Sequence, residues 1–430
     1  MQVASQDEKG EAEEVTKEVS LKDVLTEGNL AEAREAVKRN KGSAGIDGRD
    51  IETTFWHLEQ HWHQIEAKLR DGSYQPSPVK GIFIPKANGG KRLLGIPTVQ
   101  DRIIQQAIHQ QLSWQFDPLF SEHSYGFRPN CSAHDAIKAA QRYVKEGKTW
   151  VVDIDLKAFF DHINHDLLIY RIREQTKDRD LLRLIRKILK SGLIIEGEIQ
   201  ARGCGTPQGS PLSPLLANIY LDPLDKELEK RGLSFCRYAD DIVIYVGSKR
   251  SAERVYASIV KWIEKHLKLP VNTEKSGIGR TGGQQFLGYR IAEDGELSID
   301  PKRLERHKAK VRELWDARQS LTSKQLVEQW VCYLRGWCNY FKLTETPWQL
   351  RRIGGWTRRH IRKCFWLRWH NRKGRYNALK RLGAKGRRLK LASSSRGAWR
   401  IASSPTMHVV LNNKRLRQYG LFVADDLLGA

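Results

Sequence analysis

Residues Phe235-Cys-Arg-Tyr-Ala-Asp-Asp-Ile-Val-Ile-Tyr-Val246 decide how this chain is read. Two β-rich runs, Leu233–Tyr238 and Ile242–Val246, flank Ala239-Asp240-Asp241, which predicts a hairpin with both acids at its tip. Adjacent carboxylates repel, so folding alone does not favour placing them together. A divalent cation removes that cost by supplying the charge both acids need. An Asp-Asp pair in a turn is otherwise uninformative, because Asp suits turn geometry for local reasons. The apolar runs on both sides change the balance: paired acids on a buried hairpin are a poor structural choice unless a metal is bound.

A second acid site lies upstream, in Val151-Val-Asp-Ile-Asp-Leu156. On a strand, Asp153 and Asp155 point to one face. Unpaired acids in an apolar strand are costly, so one of them is expected to meet a metal or an arginine. The blander role, capping the helix that follows, suits the other. Two-metal phosphoryl transfer takes acids from separate strands, with ions ~3.5–4 Å apart, one activating the attacking hydroxyl and one steadying the leaving oxygen. Asp155 and Asp240 are 85 residues apart, so only the fold brings them together.

The charge is as uneven as the acids are local. Residues 1–300 hold 43 Lys+Arg and 43 Asp+Glu, whereas residues 301–430 hold 31 and 7, so the whole net charge of +24 lies in the last 130 residues. Charge runs are usually solvated faces. This one also carries eight of the thirteen tryptophans, and cations interleaved with aromatics fit a polyanion with stackable bases. The six cysteines form no CxxC pair and have no histidines at zinc spacing, so they read as reduced, mostly buried thiols of a cytosolic protein. No apolar run approaches the ~18 residues of a membrane span. Residues 1–20 read as an acidic, flexible leader without a signal-peptide core.

Periodicity predicts helices over Leu21–Asn40, Phe55–Leu69, Thr98–Leu112, Ser213–Lys230 and Arg254–Leu267, and a broken one over Asp166–Lys190. Val79–Pro85 and Lys91–Ile96 read as a hairpin turning at Asn88-Gly-Gly90, with further strands at Trp150–Asp155 and Gln284–Ile291. From Pro301 the pattern is helical (Pro301–Gln319, Lys324–Leu343, about Gln349–Asn371), followed by a Gly/Lys/Arg/Ser-rich connector, Gly383–Gly397. The alternation before Pro301 implies a mixed α/β core.

Tyr238-Ala-Asp-Asp241 resembles the reverse transcriptase signature. With Ser124-Tyr-Gly-Phe-Arg-Pro129, Asp155-Leu-Lys-Ala-Phe-Phe-Asp161, Gly205-Thr-Pro-Gln-Gly-Ser-Pro-Leu-Ser-Pro-Leu215 and Phe286-Leu-Gly-Tyr289, in this order, the chain resembles group II intron reverse transcriptase/maturases from about Leu25 to Leu421. The loop Asn40–Gly48 is similar to that family's N-terminal extension, and Gly336-Trp-Cys-Asn-Tyr-Phe341 to its thumb motif. The sequence stops at Ala430 without the Cys/His-rich endonuclease module of longer members, a short form similar to the bacterial class C group.

The resemblance implies an α/β right-hand polymerase: fingers and palm over 21–300, a helical thumb over 301–381, and a small basic DNA-binding segment over 382–430. It implies two Mg2+ ions, with Mn2+ as a substitute, on Asp155, Leu156, Asp240 and Asp241. Phe160, five residues after Asp155, resembles the sugar gate whose ring leaves no room for a 2′-hydroxyl; Phe159 reads as core. Gln208 is expected to line the deoxynucleotide site, Lys80, Lys86 and Arg92 to clamp the triphosphate, and Lys275 to act as general acid. Arg358, Arg359, Arg362, Lys363, Arg396 and Arg400 are expected to bind nucleic acid, whereas the tryptophans of that helix read as core. Implied partners are structured intron RNA, an RNA template with a DNA or RNA primer, target DNA and dNTPs, with no membrane, in the bacterial cytosol or nucleoid. Two rivals share these motifs: a non-catalytic splicing maturase, and a domesticated reverse transcriptase serving DNA repair or phage defence.

Overall fold

The computed structural model describes residues 18–85, 89–395 and 397–428. Lys86 and Arg396 lie outside the described residues. The chain divides into two compact units: the N-terminal residues to Ser132 with Val152–Ile244 and Glu253–Gly277, and Ala133–Val151 with Tyr245–Ala252 and everything from Ile278 on.

The acid-bearing strands lie side by side, in the order Ser234–Tyr238, Asp241–Val246, Trp150–Asp155. The two strands that carry the acids are therefore neighbours. Alternation sets which side chains are spared burial: Val152 and Ile154 are buried while Asp153 and Asp155 are only half-buried. In the first unit a second sheet places Lys91–Ile96, Val79–Pro85, Leu193–Ile195 and Glu198–Gln200 side by side. Its leading hairpin is antiparallel with Ile82 opposite Leu94. The buried helix Val99–Phe116 starts on Thr98, whose hydroxyl accepts from the Asp101 N–H at 3.1 Å, and Asp101 in turn accepts from the Tyr74 hydroxyl at 2.7 Å.

The second unit packs a three-stranded meander, Gln285–Phe286, Tyr289–Ile291 and Leu297–Ile299, with the helices Pro301–Leu314, Ser323–Tyr340 and Pro347–Arg368. The Tyr289 hydroxyl donates to the Tyr340 carbonyl at 2.6 Å. Tryptophans build this core. Trp315, Trp330 and Trp366 are buried, with the Trp330 indole N–H donating to the Phe422 carbonyl at 2.7 Å and Trp366 to Ala392 at 3.1 Å. Three of the eight tryptophans of the sequence's basic-aromatic pattern are thus spent on the core, whereas Trp348 and Trp399 are exposed.

Several expectations need correction. Leu21–Asn40 is two helices, Leu21–Val24 and Glu27–Asn40, because Ser20 and Asp23 form a capping box on the first and Thr26 begins the second. Gln284–Ile291 is a tight hairpin rather than one strand, turning at Leu287 (φ 49°) and Gly288 (φ 85°). Most of the Gly383–Gly397 connector is a helix, Gly386–Ser394. Only three of the six cysteines, Cys236, Cys338 and Cys364, are buried.

His307 is packed among Trp330, Tyr333 and Trp337, and burial pushes its pKa down to about 4. An unfolded histidine titrates near ~6.5, so between that pH and about 4 the unfolded chain binds the extra proton. The stability of this unit should therefore be complete above pH ~6.5 and fall, by an amount on the order of 3 kcal/mol, as pH drops through that window. Hydrogen exchange of the Pro301–Tyr340 helices at pH 7.5 and 5 measures this; an identical pH dependence in His307→Gln would remove His307 as its source.

Candidate active site

Asp155 is held by Asn272 and Ser276. Its carbonyl accepts from the Asn272 N–H at 2.9 Å, its N–H donates to the Ser276 hydroxyl at 2.9 Å, and its Oδ1 accepts from Asn272 Nδ2 at 3.1 Å. Lys275 Nζ stands 3.7 Å from Asp155 Oδ2. Leu156 is buried and bridges Val271, so only its carbonyl has the chemistry of a ligand.

The second acid pair sits on a strained turn. Ala239 has φ 59°, a left-handed conformation that L residues avoid. Burial raises the pKa of Asp240 and the Asp155 charge adds to it, while Arg92 and Lys275 pull it back. Asp153 is raised to about 6, by burial first and then by Asp241 and Asp155. Asp153, Asp155, Asp240 and Asp241 therefore feel one another, which is the electrostatic condition that a hard cation relieves. Among the described residues no three His, Cys, Asp or Glu side chains are gathered tightly enough to hold an ion alone. Carboxylate oxygens from two strands nonetheless fit magnesium, which usually takes one or two carboxylates and completes its shell with water and substrate phosphates.

The same unit holds a cleft of about 570 Å3, whose lining includes Asn40, Arg92, Arg102, His109, Phe127, Phe160, Gln208 and Gly209. The loop that brings Gln208 to it is fixed by backbone. The Gly205 N–H donates to the Ile163 carbonyl and the Thr206 N–H to the Phe160 carbonyl, both at 2.7 Å. Gly205 has φ 80°, and a Cβ there would meet the Phe160 and Asp161 carbonyl oxygens at 2.8 Å, so only glycine lets the loop lie this close. The Gln208 carbonyl accepts from the Gly95 N–H at 2.8 Å, tying the same loop to the hairpin strand that carries Arg92. Phe160 and Gln208 are half-buried in this cleft, whereas Phe159 is 2% exposed and packs near Tyr220. Lys80 is exposed and does not line the cleft.

Sequence reasoning missed Arg102, His109 and Phe127 as lining residues, and Asn272 and Ser276 as the supports of Asp155. Asn272 and Ser276 bracket the Lys275 motif, so their polar character was the available signal. Arg102 and His109 had none, because nothing in a helix sequence says which buried turn will border a cleft.

Residues 84–291 match the family Reverse transcriptase (RNA-dependent DNA polymerase), and residues 304–383 match Group II intron, maturase-specific domain. Protein YkfC of Escherichia coli (strain K12) is 34% identical over 305 residues, covering 61% of this chain and 80% of YkfC. The chain belongs to the group II intron reverse transcriptase/maturase family. Its fold is that of an α/β right-hand polymerase with a helical thumb. The group II intron-encoded protein LtrA of Lactococcus lactis subsp. cremoris is also 34% identical, over 59% of this chain, and the match spans about half of LtrA (53%). The solved structure of telomerase from Candida tropicalis, in complex with a TWJ fragment of telomeric RNA, gives a TM-score of 0.46 at 14% identity, over 84% of this chain and 67% of its own.

The cations after Pro301 expected to bind nucleic acid differ in burial. Arg358 and Arg362 are corrections: both are buried and already engaged. Arg358 donates to Asp425 at 3.1 Å and to Asp426 at 2.7 Å, while Arg362 Nε donates to the Leu411 carbonyl at 2.9 Å and its pKa is pushed down to about 10 by burial, then by Arg358. A guanidinium buried against such acceptors is turned into the fold and is not presented to a phosphate. Arg400 is exposed, whereas Arg359 is half-buried, donating to the Trp399 carbonyl at 2.9 Å and lying 3.9 Å over the Trp399 ring. Lys363 borders an open cleft with Arg312, Trp356, His360 and Trp399. Among the described residues no helix is long and apolar enough to cross a membrane.

Proposed function

We propose that this chain copies RNA into DNA by two-metal nucleotidyl transfer at Asp155, Asp240 and Asp241, and that it serves a group II intron in splicing and mobility. One observation carries the proposal: Arg92 both lines the cleft with Phe160 and Gln208 and lies within electrostatic reach of Asp240. A deoxynucleoside triphosphate in that cleft would have its phosphates between a guanidinium and the acids. Phe160 would lie under the sugar, and Gln208 would line the nucleotide. Arg92, with Lys86, would neutralise the pyrophosphate as it leaves. The primer 3′-hydroxyl, its proton passing to solvent, attacks the α-phosphate as the bond to pyrophosphate breaks, and Lys275, 3.7 Å from Asp155 Oδ2, would supply a proton to that leaving group. Two magnesium ions, or manganese in their place, held by Asp155, Asp240, Asp241 and the Leu156 carbonyl, would supply the charge that activates the hydroxyl and steadies the leaving oxygen.

The acids sit on adjacent strands with their supports intact, which speaks against a palm that only binds RNA. Template, primer, intron RNA and target DNA are the proposed partners, in the bacterial cytosol, with the exposed cations after Pro301 as their counter-charge. Extension of a primer on an RNA template with magnesium and dNTPs tests the reading directly, and its absence would leave only the splicing role.

Phe160→Val should raise ribonucleotide use relative to deoxynucleotide by at least about tenfold, the worth of ~1.4 kcal/mol of steric selection. The ratio of kcat/KM for the two substrates on one template measures it. Unchanged selection in Phe160→Val, with selection lost in Phe159→Val, would assign the gate to the buried ring instead.

A further inference from the structure

A guanidinium with no solvent exposure lies directly beneath the acid-bearing turn. Arg237 is 0% exposed, as is its partner Asp225. Arg237 Nε donates to Asp225 Oδ1 at 2.8 Å and Nη2 to Oδ2 at 2.5 Å, a two-pronged pair. Its Nη1 is turned the other way: it donates to Asn218 Oδ1 at 2.8 Å and to the Ala239 carbonyl at 3.1 Å. Asn218 extends the network, donating from Nδ2 to the Gly126 carbonyl at 2.8 Å. Gly126 lies against the same turn, since a Cβ there would collide with the Ala239 N–H. The backbone repeats the link, with the Tyr125 N–H donating to the Arg237 carbonyl at 2.9 Å.

Burying an ion pair seldom repays its desolvation when apolar residues would fill the space, so a fully buried one calls for another use. Here the guanidinium grips the carbonyl of Ala239, the residue held at φ 59° immediately before Asp240. A left-handed alanine persists only where its surroundings over-determine it. We propose that Arg237, braced by Asp225 and Asn218, is a positioning residue that locks the Ala239 peptide and so aims the Asp240 and Asp241 carboxylates at their cation. The proposal rests on the reading of those acids as metal ligands. Arg237 touches neither substrate nor the acids' oxygens; it acts through the turn, as outer partners orient the ligands of a metal site.

The test uses the full chain without nucleic acid and follows Mn2+ binding by the electron paramagnetic resonance of the free ion, beside thermal melting and magnesium-dependent primer extension. Arg237→Lys keeps the charge opposite Asp225 but loses the fork, and Asn218→Ala keeps the Arg237–Asp225 pair but removes one brace. Both should weaken Mn2+ binding, and raise the magnesium needed for half-maximal extension, by about tenfold or more. At saturating magnesium the extension rate should recover further in Asn218→Ala than in Arg237→Lys. Folded variants with wild-type Mn2+ affinity and magnesium requirement would overturn the proposal. So would failure of both to fold, since the network would then be a scaffold for the palm. Asp240→Asn is the control: if it too leaves Mn2+ binding intact, the reading of the acids has failed rather than the role of Arg237.

Discussion

Asp240→Asn, or Asp155→Asn, is expected to lower primer extension on RNA by at least about a thousandfold, the loss of ~4 kcal/mol of transition-state charge stabilisation. Burial and the Asp155 charge both raise the Asp240 pKa, so its ionised form is held at a cost that the metal-free protein cannot recover. Removing that charge should leave the metal-free melting temperature equal to wild type or above it, and should abolish the rise in melting temperature that magnesium gives. RNA affinity should stay near wild type, because the charge excess lies wholly after Asp300. Extension by Asp240→Asn within tenfold of wild type would take this acid out of the mechanism, and a drop in metal-free stability would mean that it serves the fold.

The acid strands were legible because both local signals agreed. Alternation put Asp153 and Asp155 on one face, and β-rich flanks marked Ala239–Asp241 as a turn. The observed strands Trp150–Asp155 and Asp241–Val246 follow that reading and lie next to each other. What lay hidden was the support. Arg237 sits in the middle of a run that reads as an ordinary strand, and its partner Asp225 is on a helix twelve residues upstream. No spacing rule links a strand arginine to a helix aspartate, since only tertiary packing turns the two inward. The helix Ala133–Lys145 was legible and went unread: Ala136, Ile137, Ala140, Tyr143 and Val144 recur at helical spacing and form its buried face. Tertiary packing also explains the thumb, where composition counted cations correctly but said nothing of which ones the fold consumes.

That consumption gives the second large effect. Arg358→Ala should cost on the order of 3–5 kcal/mol of stability, because it strands buried carboxylate rather than removing a surface charge. Arg358 reaches Asp425 and Asp426, whose side chains are 17% and 2% exposed. Arg417 remains on Asp426 at 2.6 Å, so the loss falls mainly on Asp425, which packs against Gly354 of the same helix. By contrast, Lys363→Gln and Arg400→Gln should leave stability within about 0.5 kcal/mol of wild type, as surface substitutions usually do. Their effect belongs in the salt dependence: each phosphate that loses its cation should make the slope of log affinity against log salt shallower by ~0.7–0.9. Arg358→Ala, assayed well below its melting transition, should keep the wild-type slope. Unfolding curves paired with a salt titration of RNA binding separate these roles. A stable Arg358→Ala with a shallower slope would return Arg358 to the phosphate track. A wild-type slope in the double variant would move that track to exposed cations elsewhere in the second unit, most directly Arg387 and Arg388 on the helix Gly386–Ser394.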